Sequence, residues 1–279
     1  MTTDHKVILF RAPEVDGLFA CLSAFKRLGW RALYLPIREG SRVDPILVHI
    51  KPDDQVIFLG TTGPAGLLDK VVNKVLSKGS VVVIDHRAES IEAVTSHLTI
   101  ADYVDPERAT STLAWGYFHP TAKLPRAFEL IEDAVMKHSR IQGSDAFMVG
   151  LLIMNLDKIV VTREFFEGLE FLDIETVQLK GLEAEAKDAL AIATLMQRAV
   201  KTRLGSFELM TLEPATLDPR LIDPLGRELA MHARSCGMDP VGLIYHGGKG
   251  YLRSLSTFDC LSMFNFARGT KTACEFTCR

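Results

Sequence analysis

The run Ser80-Val-Val-Val-Ile-Asp85-His86-Arg87 ends four apolar residues in a carboxylate, an imidazole and a guanidinium. An Asp and a His side by side can ligate a divalent metal. Arg87 cannot, because its guanidinium is permanently charged and offers no lone pair. A second carboxylate stands in Arg11-Ala-Pro-Glu14-Val-Asp16-Gly17, and a third in Leu130-Ile-Glu-Asp133-Ala-Val135. Toward the C-terminus Arg253-Ser254 closes an apolar segment, where an Arg suits bidentate contact with an anion.

Each of these residues also has a plainer reading. Asp16-Gly17 caps and turns into the helix that follows it. His86 is a hydrogen-bonded residue at a strand end, and Arg253 is a solvated side chain. Thr110-Ser-Thr112 reads as a helix N-cap rather than a phosphate contact. Phe147, Met148 and Met154 read as core. His119, His138, His232 and His246 show no ligand spacing and read as surface or cap residues. Gly247-Gly248-Lys249-Gly250 lacks the spacing of a phosphate-binding loop and reads as a hairpin-like turn.

The elements that position these residues alternate. Val7–Phe10, Ala32–Ile37, Val56–Leu59 and Ser80–Asp85 are strands, separated by helices at Leu18–Leu28 and Leu67–Lys78 and followed by one near Ser90–Ser96. Strand-helix alternation with short connections predicts a parallel sheet covered on both faces. Ala109–Phe118, Pro125–His138 and Asp145–Leu156 predict three further helices, and a helix-rich segment runs from about 174 to 202. Strands return at Phe207–Leu212, Val241–Tyr245 and Tyr251–Ser256, around a helix at Pro224–Cys236. The expected division is an α/β domain over 1–173, a helical linker over 174–204 and a smaller α/β domain over 205–279.

The totals exclude several classes. With 279 residues, 47% hydrophobic and 24% charged, the composition is that of a globular protein large enough for one big domain or two modest ones. A net charge of -3 gives no overall basic field for long nucleic acid. Five cysteines without a CxxC pair read as reduced thiols rather than a disulfide or zinc framework. No apolar stretch is long enough to span a bilayer and no signal or transit segment is visible, so the expected location is intracellular, of cytoplasmic type.

Taken in order, these segments resemble the DHH phosphoesterase superfamily, and more closely its two-domain members carrying the accessory DHHA1 domain. Arg11 to Ala20 is similar to the first metal motif, with Arg11 in place of a His. Val56 to Gly60 stands where the family has a strand ending in Asp. Val83 to Arg87 matches the naming Asp-His-His motif with its last His replaced. Arg108 to Phe118 resembles the Ser/Thr-rich helix start that follows it. Leu130 to Val135 resembles the later Asp-x-Asp segment. In the small domain, Gly247 to Ser254 resembles the accessory strand ending in Leu-Arg-Ser, and Phe266 to Phe276, with Lys271, stands in place of a Gly-Gly-Gly-His loop.

The resemblance implies hydrolysis of phosphodiesters or phosphoanhydrides by one or two Mn²⁺ or Mg²⁺ ions. Here the metal motifs are degenerate: Asp16, Asp85 and His86 remain at ligand positions, with Asp133 a candidate fourth. The expectation is therefore a pseudoenzyme without a cofactor, acting as a structural or binding subunit with a protein partner or larger assembly. A small phosphate-containing ligand would be held by Arg11, Arg87, Arg253, Ser254 and Lys271. Arg11 and Arg87 are expected to fill the metal hole and pair with Asp16 and Asp85. The alternative is a Mn- or Mg-dependent enzyme with a single metal on Asp16, Asp85, His86 and Asp133, cleaving short oligonucleotides, cyclic dinucleotides or polyphosphate.

Overall fold

A computed structural model of the chain describes residues 5–75, 77–97, 100–154, 161–255, 268–269 and 273–277. The chain divides into two compact units, Met1–Ala184 and Glu185–Arg279. In the first, strands β1 (Lys6–Arg11), β2 (Ala32–Ile37), β3 (Gln55–Leu59), β4 (Ser80–Asp85) and β5 (Ala101–Val104) form one sheet. Every pairing in it is parallel, and the spatial order is β2-β1-β3-β4-β5. Parallel strands covered on both faces need continuous apolar runs, and Val7–Phe10, Val56–Leu59 and Val81–Ile84 supply them.

Alternation along each strand sends successive side chains to opposite faces. Ile8, Phe10, Ile57, Leu59, Val82 and Ile84 meet one core, together with helices α1 (Val15–Leu28), α5 (Thr110–Phe118), α6 (Arg126–Val135), α7 (Ser144–Ile153) and α8 (Arg163–Glu170). Val7, Leu9, Val56, Phe58, Val81 and Val83 meet the other, under α2 (Val43–Leu47), α3 (Leu67–Val75) and α4 (Ala88–Thr95). Phe25 of α1 stacks on Phe166 of α8 with ring centroids 4.0 Å apart, tying the last of these helices to the first. The chain leaves β1 for β2 on one side and later returns to β3 on its other side. The carboxyl ends of β1 and β3 therefore flank a topological switch point, where open α/β sheets bind their ligands.

The 23-residue helix α9 (Ile174–Met196) serves both units in turn. Its first half packs Val177 and Gly181 on α7. A Cβ on Gly181 would lie 1.8 Å from the Ala146 carbonyl oxygen, so only glycine permits this approach. Ile192, Leu195 and Met196 pack against the second unit's core. That unit contains β6 (Val200–Leu204), β7 (Phe207–Leu212), α10 (Ile222–Ser235), β8 (Val241–His246), β9 (Lys249–Ser254), β10 (Arg268–Gly269) and β11 (Ala273–Thr277). Its mixed sheet has the order β10-β11-β9-β8-β7-β6, and β7 and β8 form a parallel pair joined through α10.

Several elements differ from the sequence reading. The helix expected to about 202 stops at Met196, and Val200–Leu204 is an edge strand instead. The short helices α2 and α8 and the short strands β5 and β11 carry too few periodic apolar residues to stand out. Phe147 is fully buried and Met148 packs on the core, but Met154, which follows the last turn of α7, is 39% exposed. Gly247-Gly248 is a two-residue hairpin turn between β8 and β9, both glycines at positive φ. Among the described residues no helix is long and apolar enough to cross a membrane.

Candidate functional site

Asp16, Asp85 and His86 converge at the carboxyl edge of the first sheet, and each is held by donors or acceptors of the fold itself. Asp16 sits in the first turn of α1, where Gly17 is pressed against the end of β1; a Cβ there would lie 2.1 Å from the Arg11 carbonyl oxygen. This close approach turns the Asp16 carboxylate toward the start of α5. Its Oδ2 accepts the Thr110 N–H at 3.0 Å and its Oδ1 the Ser111 N–H at 2.8 Å. Asp16 thus caps a helix remote in sequence, not its own, and the negative charge complements the helix dipole. Thr110-Ser-Thr112 likewise is not the cap expected of it. The N-cap residue is Ala109, and the Ser111 and Thr112 hydroxyls are buried without a partner among the described residues.

Asp85 is 0% exposed and accepts four hydrogen bonds. His86 N–H (2.7 Å), Arg87 N–H (3.3 Å) and Thr110 Oγ1–H (3.3 Å) reach Oδ1, and Ser90 Oγ–H (2.5 Å) reaches Oδ2. The carboxylate closes the turn from β4 into α4 and ties it to α5. His86 Nδ1 lies 2.9 Å from Thr110 Oγ1 and 3.5 Å from Asp16 Oδ2. Where the Thr110 hydroxyl donates to Asp85, its oxygen accepts from His86 Nδ1–H.

Arg11 and Arg87 do not pair with Asp16 and Asp85. Both donate to Glu14: Arg11 Nε to Oε1, and Arg87 Nη2 to Oε2, while Arg87 Nη1 donates to the Gly60 carbonyl. The two aspartates already have backbone and hydroxyl donors, and the guanidiniums take Glu14 instead. Sequence reasoning does not single out Glu14; its signal is an acid three residues after Arg11, at the start of α1. Gly60 has φ +66°, and a Cβ there would point between Thr110 and Arg11, 3.6 Å from the nearest atom.

Asp133, only 3% exposed, lies at the end of α6 and holds its own loop. It accepts Arg140 N–H (2.9 Å), Ile141 N–H (3.2 Å) and Ser144 Oγ–H (2.6 Å). Burial alone would raise its pKa, but the Ser144 hydroxyl and the Arg140 and Ile141 amides, with His138 nearby, hold it below the ordinary 3.8. A depressed carboxyl contributes stability that is full above the unfolded value and is lost as pH falls through the folded one. The melting temperatures of wild type and Asp133→Asn should therefore differ by a constant amount from pH 7 to about pH 5 and converge below about pH 4. A gap that persists undiminished into acid would refute this role.

In the second unit Arg253 pairs with Asp223 at the start of α10 and donates to the Leu252 carbonyl at 2.8 Å. Gly226 leaves room for its stem: a Cβ there would lie 2.5 Å from Arg253 Cγ. Ser254 beside it is buried. Lys271 lies outside the described residues.

These side chains do not fit a two-metal centre. Among the described residues no group of three or more His, Cys, Asp or Glu is arranged to hold a metal ion. Each Asp16 oxygen already accepts a backbone N–H, Asp85 is enclosed by four donors, and Asp133 is spent on its loop. Two guanidiniums cover the same rim, and dications would need more carboxylates there, not fixed positive charge. What the rim does frame is a cleft of about 540 Å³ at the carboxyl ends of β1, β2 and β3. Arg11, Glu14, Arg38, Glu39, Ser41 and Thr61 line it, placing it at the switch point.

No protein-family model and no curated protein matches the chain. Among solved structures it is similar to RecJ of Thermus thermophilus in complex with Mn²⁺, with a TM-score of 0.51 and 12% identity. That match covers 99% of this chain and 49% of the RecJ chain, so the chain spans about half of RecJ. An uncharacterized protein from Helicobacter pylori G27 aligns with a TM-score of 0.44 and 12% identity, covering 98% of this chain and 92% of that one. An exopolyphosphatase-related protein from Bacteroides fragilis gives 0.44 and 13%, covering 98% and 86%. The parallel sheet in the order 2-1-3-4-5, the smaller mixed sheet after it and the likeness across nearly the whole chain give this protein the α/β fold seen in RecJ.

Proposed function

We propose that this chain keeps the DHH-type fold without its hydrolytic centre and works as a binding subunit. The observation that carries this reading is Asp85, which is fully buried and enclosed by hydrogen-bond donors. A carboxylate serving as a catalytic metal ligand needs lone pairs directed at an open coordination position. Asp85 instead serves the turn into α4, and Asp16 serves the start of α5. The Arg11–Glu14–Arg87 cluster supplies fixed charge where a metal would supply it. In the adjacent cleft Arg11 and Arg38 offer guanidinium donors to the phosphate of a small ligand, with Glu14 and Glu39 as acceptors for its hydroxyl or amino groups.

The metal-dependent enzyme requires Asp133 to join Asp16, Asp85 and His86, but the hydrogen bonds of Asp133 go to its own loop. The test is hydrolysis of a short oligonucleotide, a cyclic dinucleotide and polyphosphate in the presence of Mn²⁺ or Mg²⁺. The expected rates for wild type and Asp85→Asn are the same as background. Turnover by wild type that Asp85→Asn abolishes would overturn the proposal.

A further inference from the structure

The second unit has a pocket of its own, about 770 Å³, at the carboxyl ends of the parallel strands β7 and β8. It lies at the opposite end of β8 and β9 from Arg253, whose register partner is Gly242 near the start of β8. Glu213, Pro214 and Ala215 follow β7, His246 ends β8, Lys249 begins β9, and Arg198 precedes β6. The antiparallel pairing of Val200 with Thr211, continued by two residues, brings Arg198 to the same edge as Glu213. We propose that this pocket binds a small phosphorylated compound rich in hydroxyl groups, of the sugar-phosphate type.

The charges point to that class. The Arg198 side chain has no hydrogen bond or ion pair among the described residues, and neither has Glu213, although both line the pocket. Among those residues Lys249 is held only by Glu275 at 3.5 Å, with both side chains half exposed, a pair worth little in water. His246 Nδ1 faces the Pro214 carbonyl at 3.4 Å, which leaves Nε2 toward a ligand. Arg198 and Lys249 line the pocket with Glu213, and Glu275 offsets Lys249 from outside the lining, so the unpaired Arg198 is the group that calls for an anion. Arg198 offers the planar fork that suits phosphate oxygens, and Lys249 adds a point charge. The Glu213 carboxylate is an acceptor, and in an anion site an acceptor needs hydroxyl or amino donors on the same ligand. The turn at Gly247-Gly248 carries no side chain, and a Cβ at either position would meet no atom within 4 Å, so this wall stays open. The volume lies within the range of small-ligand pockets.

The test is titration of the full chain with ribose 5-phosphate, by calorimetry and by amide chemical shifts, with ribose and inorganic phosphate as comparison probes. The expected result is saturable binding that moves the Gly247 and Gly248 amides. Arg198→Gln and Lys249→Gln should each weaken it about tenfold, the loss of one charge-assisted contact. Glu213→Gln should weaken ribose 5-phosphate but leave inorganic phosphate unchanged. All three side chains are on the surface with at most one weak partner, so the variants should melt as wild type does. Three results would overturn the proposal: no saturable binding, binding that Arg198→Gln and Lys249→Gln leave unchanged, or shifts confined to the loop over residues 11–14. The last would assign the ligand to the switch-point cleft, which supports the first unit's binding role while removing this site.

Discussion

Asp85→Ala should destabilise the protein by about 3 kcal/mol or more, measured as a fall in the urea midpoint at unchanged slope. The substitution leaves the Ser90 hydroxyl, the Thr110 hydroxyl and the His86 and Arg87 amides without their acceptor in a site sealed from water. A buried donor left unpaired costs roughly 1–3 kcal/mol, and several lose their acceptor together. The opposite sign is expected for a carboxylate gathered only to hold metal. Without the ion such groups repel one another, and removing one relieves the fold. Asp85→Asn keeps an acceptor at one position and should cost less, about 1–2 kcal/mol. A neutral or stabilising Asp85→Ala would contradict the structural role assigned to this residue.

Gly17→Ala should be nearly as damaging, about 3 kcal/mol or failure to fold. Its Cβ would sit 2.1 Å from the Arg11 carbonyl oxygen, far inside contact distance, and the atom in the way is backbone at the end of β1. Relief requires α1 to move off the sheet, and α1 carries Leu18, Phe19 and Leu22 of the larger core as well as Asp16. Gly116→Ala is the control: it lies in α5, no atom stands within 4 Å of its Cβ, and it should gain about 1 kcal/mol from helix propensity. Thermal unfolding of both variants separates them by sign. Equal behaviour would mean that α1 and β1 are not packed as closely as described.

The fold was legible where apolar runs and glycine stops were strong. Val81 to Ile84, buried on both faces, could be placed as an interior parallel strand from its β-branched residues alone, with Asp85 at its end. Short elements were not legible, because five residues such as Val43–Leu47 do not complete enough turns to show a period. That Asp16, Asp85 and His86 meet at one sheet edge was legible, but their contacts were not. Asp16 reads from sequence as a cap for the helix it stands in, while its partners, Thr110 and Ser111, lie 94 and 95 residues away. No local pattern encodes that distance. Glu14 was visible in the same loop, yet only the packing of β1, β3 and β4 brings Arg11 and Arg87 to it. The expected pairing of these arginines with aspartates failed for a physical reason: a carboxylate satisfied by backbone amides no longer competes for a guanidinium.

The measurement that bears most directly on whether this site has become structural is Mn²⁺ titration of the wild-type chain by calorimetry, with Asp85→Asn alongside. Because the oxygens of Asp16 and Asp85 already accept fold donors and two arginines cover the rim, no site-specific heat is predicted up to millimolar Mn²⁺, and the two titrations should coincide. Micromolar binding by wild type that Asp85→Asn removes would show that Asp85 gives up its hydrogen bonds to a metal, and the hydrolytic reading would then replace the binding one.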